Sequence, residues 1–192
     1  VPAVEEIIAS PVSARIVEVY RRSGDSVEAG TPLLKLDLQS TETEYHKQLD
    51  EERMKQLQLD QLRMNNETYL GDLAMKVKVQ AMKVGRMEAD LRNERYLDSL
   101  GSGTTDRVRQ AELAYNTGCL ELEQLRQQYA NEQKVKEADL KVKQLELDIF
   151  RKSLSETRRT LEDAQLRSPR KAILTSINTQ VGSQVAPGSQ VA

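Results

Sequence analysis

The chain holds one histidine, His46, and one cysteine, Cys119. These residue types most often serve as nucleophile, general base or zinc ligand, and each needs partners to do so. A catalytic triad needs a second and third member, and a structural zinc site needs about four ligands. No cysteine and no carboxylate cluster at ligand spacing accompanies His46, which reads as a surface residue in the first turns of a helix. Cys119 follows Gly118 and reads as a small, partly buried side chain; as the sole cysteine it makes no intramolecular disulfide and is silent about redox compartment. There is no glycine-rich phosphate loop. The expectation is a protein that is not an enzyme and has no metal or cofactor.

What the residues do specify is two long arms. From about Ser40 to Leu100, and from Thr105 to about Leu166, the chain is rich in Leu, Glu, Gln, Lys and Arg, all strong helix formers, and no proline occurs between Pro32 and Pro169. Between the arms lies Gly101-Ser102-Gly103-Thr104-Thr105. Its two glycines offer positive-φ positions for a reversal, and Thr105 or Asp106 can cap the second helix. At 1.5 Å rise per residue each arm reaches roughly 90 Å, a length that needs a partner alongside it. Composition agrees: of 192 residues 30% are charged and only 4% aromatic, too few for a large globular core. The formal charge of −2, with acids and bases interleaved, excludes a nucleic-acid footprint. No run approaches the ~20 apolar residues of a membrane span, and Val1-Pro2-Ala3-Val4 does not resemble the start of a signal peptide, so any anchor or export signal is expected to be absent from this chain.

Within the first arm Leu70, Leu73, Val77, Gln80, Val84, Met87 and Leu91 follow a 3,4 rhythm, and in the second Val108, Ala111, Tyr115, Leu122, Leu125 and Tyr129 do the same. After Tyr129 the apolar residues move by one position to Val135, Ala138, Val142, Leu145 and Ile149, which predicts a shifted seam. Folding about residue 103 sets Leu91 near Tyr115, Val84 near Leu122 and Val77 near Tyr129, an antiparallel pair. Outer faces carry i,i+4 pairs such as Glu51/Lys55, Glu88/Arg92, Glu132/Lys136 and Glu137/Lys141. Such charged faces predict a fragment that is monomeric or weakly associated. Thr41 and Glu44 form a capping-box pattern for the first arm. Gly71, Gly85 and Gly118 are either tolerated weak points or places of close helix approach.

The two ends differ from the arms. Residues 1–37 carry three of the five prolines and many β-branched residues, with strands expected at Ile16–Val19 and Pro32–Leu36 and a turn at Ser23-Gly24-Asp25. Residues 166–192 repeat this beginning at a gapless offset of 158: Ser10-Pro11 matches Ser168-Pro169, and Ala14, Gly24, Val27 and Gly30 match Ala172, Gly182, Val185 and Gly188. Ile16, Val19 and Leu33 keep register with Leu174, Ile177 and Val191. The reading is an α+β fold: a long antiparallel two-helix coiled-coil hairpin (38–166, with helix 40–100, turn 101–104 and helix 105–166) inserted between two halves, 1–37 and 167–192, of one small β domain.

Ser10-Pro11-Val12-Ser13-Ala14-Arg15-Ile16, followed by Ser23 to Gly30 and Pro32-Leu33-Leu34, resembles the first half of a lipoyl/biotinyl-type domain. Split halves around a helical hairpin resemble the periplasmic adaptor subunits of bacterial efflux pumps and type I secretion systems, the membrane fusion proteins or HlyD family. Ala14 and Ala172 stand where such domains often have glycine. The resemblance implies a periplasmic protein held to the inner membrane by a segment absent from this chain. It also implies an inner-membrane transporter as one partner, a TolC-type outer-membrane channel as the other, and a homo-oligomer, usually a hexamer. In that family the hairpin end carries Arg-x3-Leu-x6-Ser. Here Arg95 fits, Ser99 stands in place of Leu with Leu100 adjacent, and Asp106 replaces the final Ser, so one position of three is kept. The candidate partner-binding residues are therefore Arg95, Ser99, Leu100, Gly101, Gly103, Thr104, Thr105, Asp106 and Arg107. Ala74-Met75-Lys76-Val77 and Ala81-Met82-Lys83-Val84 resemble the biotin-carrying tetrapeptide, yet fall within a helix, where the family's carrier lysine stands on a tight turn. A biotin or lipoate carrier with an inserted coiled coil, or a generic coiled-coil spacer, are the competing readings.

Overall fold

A computed structural model describes residues 5–163 and 165–192. Residues 1–4, part of the expected first β half, and Ala164, inside the expected second helix, lie outside the described residues. The elements run β1 (Ala14–Val19), β2 (Ser26–Val27), β3 (Pro32–Asp37), α1 (Gln39–Ser99), α2 (Thr105–Glu162), β4 (Gln165–Arg167), β5 (Ala172–Ile173) and β6 (Gln184–Val185). They form two compact units: the strands with the adjoining helix ends, and Lys55–Glu146 of the hairpin.

In the first unit the repeat seen in sequence is a repeat of hydrogen bonds. The strands form a four-stranded sheet in the order β4-β3-β1-β6 and a two-stranded sheet β2-β5. Pairs Ala14 with Val185 and Arg15 with Gln184 recur, at the same offset of 158, as Ala172 with Val27 and Ile173 with Ser26. Gly188 N–H donates to Ser10 O at 2.8 Å, and Gly30 N–H donates to Ser168 O at 2.8 Å. The Ser10 hydroxyl donates to Val12 O, and that of Ser168 to Arg170 O. Gly24, Gly30, Gly182 and Gly188 all take positive φ, between 80° and 96°, so equivalent glycines occupy equivalent left-handed turns. One β domain is thus assembled from both chain ends.

Its core has two clusters. Ala14, Ile16, Leu34, Leu36, Leu38, Leu166, Val185 and Val191 form the larger, and Val27, Leu33 and Leu174 the smaller. Neighbouring Leu33 and Leu34 are both buried because β3 turns one face to each cluster. Leu166 also explains why α2 stops at Glu162 and not at 166. Gln165–Arg167 pairs with β3, Arg167 opposite Pro32, and repeats the bridge of Ala9 with Gln190. The sequence there is compatible with a helix, and strand pairing overrides that propensity.

The first helix begins two residues ahead of the expected box. Leu38 O accepts from Glu42 N–H, and the Asp37 carboxylate accepts from Gln39 N–H at 3.1 Å, so Asp37 and not Thr41 satisfies the helix start.

In the second unit α1 and α2 run antiparallel. Leu59, Asn66, Leu73, Gln80 and Leu91 are the buried positions of α1, with Leu70, Val77, Val84 and Met87 half-buried between them. Gln80 Nε2 donates to Gly118 O at 3.2 Å and to Glu121 at 3.3 Å, and Asn66 Nδ2 to Lys136 O at 3.4 Å. The Gly118, Glu121 and Lys136 atoms bonded by these amides lie eight, five and four residues nearer the tip than folding about residue 103 gives, whereas Tyr69 with Lys136 and Arg95 with Glu112 keep that register to within one residue. Gly118 leaves a slot on α2. A methyl group there would lie 2.6 Å from the Met87 sulfur and 3.4 Å from Val84, so the missing side chain lets α1 settle against α2. Gly71 and Gly85 have open space around them. Gly85→Ala is therefore expected to raise stability by about 0.5 to 1 kcal/mol through helix propensity, whereas Gly118→Ala should forfeit much of that gain by displacing Met87. Paired thermal melts of the two variants check this.

Beyond Tyr129 the expected seam shift does not occur. Half-buried and buried positions continue as Glu132, Lys136, Leu140, Gln144 and Leu147. Val135, Ala138, Val142, Leu145 and Ile149 face solvent instead. Polar residues hold the inner seam by their stems and by specific contacts, such as the Lys136 ammonium 4.8 Å from the centre of the Tyr69 ring. The outer faces are consequently not uniformly charged.

Candidate partner-binding tip

The helix end at the turn is closed by backbone bonds that follow from its glycine. Gly101, φ 76°, reverses the chain, so its N–H donates to Asp98 O at 3.0 Å and that of Ser102 to Leu97 O at 3.0 Å. This is the Schellman arrangement, which satisfies two of the last carbonyls of α1. Gly103 is needed for a different reason from the one its sequence suggested. Its φ is not positive; a methyl group on it would lie 2.8 Å from the backbone nitrogen of Asp98. The Ser99 hydroxyl donates to Tyr96 O at 2.6 Å and is turned back onto its own helix.

Thr104, and neither Thr105 nor Asp106, caps α2: its hydroxyl oxygen accepts from Arg107 N–H at 3.2 Å, and its carbonyl from Val108 N–H. Thr105 and Asp106 form the first turn, where the Asp106 charge complements the helix dipole. Arg95 lies one turn back and its guanidinium reaches Glu112 across the hairpin at 3.5 Å. Both side chains are half exposed, so the pair contributes about 0 to 1 kcal/mol. Arg107 is exposed, as are Leu100 and Tyr96. The structure thus separates the expected residues. Ser99, Gly101, Gly103 and Thr104 build the turn, Arg95 braces it, and Leu100 and Arg107 project from it. Tyr96 belongs with them and was not anticipated; an aromatic residue outside the seam rhythm was the available signal. Thr104→Ala is expected to cost about 1 kcal/mol and Gly101→Val somewhat more, through left-handed strain. Melting temperatures of the two variants check both.

The remaining candidates stand apart from one another. His46 is exposed and lies 5.9 Å, centroid to centroid, from the ring of Tyr45. Cys119 is half-buried beside Gly118. Its thiol, hydrogen-bonded to the Tyr115 phenol, is the main reason that phenol titrates above its ordinary range, followed by the charges of Cys119 and Glu88. Lys76 and Lys83 are exposed in the interior of α1, not on a turn. Among the described residues no group of three or more His, Cys, Asp or Glu side chains could hold a metal ion, and no helix is long and apolar enough to cross a membrane.

No protein-family model and no curated protein matches this chain. Among solved structures it is similar to the periplasmic adaptor protein EmrA, at 16% identity over 97% of this chain and 70% of that one, with a TM-score of 0.42. It is similar to the soluble domain of LipC, a membrane fusion protein of a type I secretion system, at 14% identity over 97% of both chains, with a TM-score of 0.46. It is also similar to MacA from Actinobacillus actinomycetemcomitans, at 12% identity over 97% of this chain and 48% of that one, with a TM-score of 0.42.

Proposed function

We propose that this chain is the hairpin and split β domain of a periplasmic adaptor, working beside an inner-membrane transporter and meeting an outer-membrane channel of the TolC type through the hairpin tip. The observation that carries the reading is the architecture itself: two chain ends joined by twofold-repeated hydrogen bonds into one β domain, with a capped two-helix hairpin between them. Such a frame suits mechanical bridging. The turn-building residues hold Tyr96, Leu100 and Arg107 outward, which supplies two apolar contacts and a cation to a partner's polar loops. Several copies, six by the sequence resemblance, would surround the path of the exported cargo, and no chemistry on that cargo is required. The carrier reading is weaker, because Lys76 and Lys83 stand on the helical shaft and not on a turn where a ligase would reach them.

The test is photo-crosslinking in cells of the full-length protein, with a photoreactive amino acid replacing Leu100. An adduct with an outer-membrane channel is expected. Adducts only with soluble cytoplasmic proteins would overturn the reading.

A further inference from the structure

Near the tip, on one flank of the hairpin, the two helices part around a groove of about 430 Å³. Ala111 and Ala114 line it on α2, and their short side chains leave the room. Asp90 and Glu94 line it on α1, one turn apart and so on one face. Glu94 is the unusual member. Its Oε2 is buried and has no hydrogen-bond partner, although a carboxylate oxygen withdrawn from water needs a donor. Two side chains lining the groove from α2 have donors to give, Gln110 and Arg107. Among the described residues lining it, Arg107 is the only cation. Arg95, next to Glu94 in the chain, is already held by Glu112 at 3.5 Å. Arg107 is exposed, and its tie to the turn is its backbone N–H, bonded to the Thr104 hydroxyl, so the guanidinium can turn without disturbing the cap.

We propose that the Arg107 side chain has two positions: it projects from the tip, or it folds back along the groove and its guanidinium donates to Glu94 Oε2, with Asp90 beside it. Ala111 stands one turn further along α2 on the same face, and its single methyl group leaves the way open. A guanidinium suits the place, because its planar fork can give a carboxylate two charge-assisted bonds while a third donor meets the second acid. The folded position is an inhibitory contact. It withdraws the cation that the tip offers, and a partner has to draw it out. This consequence rests on the function proposed for the tip; the contact with Glu94 does not.

The contact is tested on the 192-residue chain by NMR of the arginine Nε–H resonances, with Arg107→Lys identifying the signal of Arg107. Held by a carboxylate, that proton should exchange with water several-fold more slowly in the original chain than in Glu94→Gln. Gln110→Ala should leave it unchanged. A second measurement needs no variant: high salt screens the pair, and the Arg107 proton should then speed up relative to that of Arg109, which does not line the groove. Exchange indifferent to both Glu94→Gln and salt, or responding to Gln110→Ala alone, would overturn the proposal. The inhibitory role is tested in cells with the photoreactive amino acid at Leu100 of the full-length protein. Glu94→Gln should raise the yield of channel adduct several-fold, and should add nothing in an Arg107→Ala background. A yield that Glu94→Gln does not raise would overturn that role. Absence of any channel adduct, with or without Glu94→Gln, would overturn it together with the function proposed for the tip, while the contact itself is decided by the NMR measurement.

Discussion

Leu122→Asp is expected to melt the hairpin. Leu122 is buried on α2, four residues past the slot at Gly118 and next to the Glu121 that bonds Gln80. The substitution removes a leucine from the seam and places a carboxylate there without a partner. Lost burial and unpaired charge together cost about 3 kcal/mol or more, a large share of the stability of a marginal fold. Circular dichroism should show a lower melting point and diminished helicity. Leu120→Asp is the control, two residues away in the same helix and 67% exposed. It should change stability by less than about 0.5 kcal/mol. Equal effects of the two substitutions would contradict the seam.

The second large effect concerns transport and not folding. Leu100→Ser combined with Arg107→Ala removes an apolar contact and the cation that project from the turn, and touches none of the bonds that close it. Loss of about 1.4 kcal/mol of partner contact weakens binding about tenfold, so export by the full-length protein should fall, by up to that factor where the contact is far from saturated. The melting temperature should hardly move, because both side chains are exposed. Arg95→Ala should act more weakly on export, since Arg95 is engaged with Glu112.

Sequence and structure agree where a local signal and the tertiary fold ask for the same thing. The absence of proline between Pro32 and Pro169 and the heptad rhythm from Leu70 to Leu91 make the hairpin legible. The offset of 158 makes the two β halves legible, because each left-handed turn needs its glycine. Elsewhere the sequence is degenerate. Thr104, Thr105 and Asp106 are all good cap residues, and only the bond to Arg107 N–H selects Thr104. Leu161 to Leu166 has helix-forming composition, and its last residues leave the helix only because β3 has an edge for them to pair with. The stripe Val135 to Ile149 has the rhythm of a seam, and sequence alone does not show that the sibling helix leaves it exposed. Its neighbour seam, with Lys136 and Gln144, looks polar because long side chains bury only their stems. That His46 and Cys119 occur once each was readable from the sequence, and that the Cys119 thiol meets the Tyr115 phenol was not. Which tip residues build the turn and which are free to bind needed the hydrogen bonds.

The most direct test of the account is an export measurement on the full-length protein with Ser99–Asp106 replaced by an unrelated turn that keeps a glycine at the helix end and a capping threonine before α2, and with Tyr96 and Arg107 changed to alanine. The hairpin should retain its helicity and its melting temperature, because the seam is untouched. The account predicts that export falls to the level of a strain lacking the protein. Export at the original level, from a chain shown to be folded and present in normal amount, would contradict it and reduce the tip to a turn.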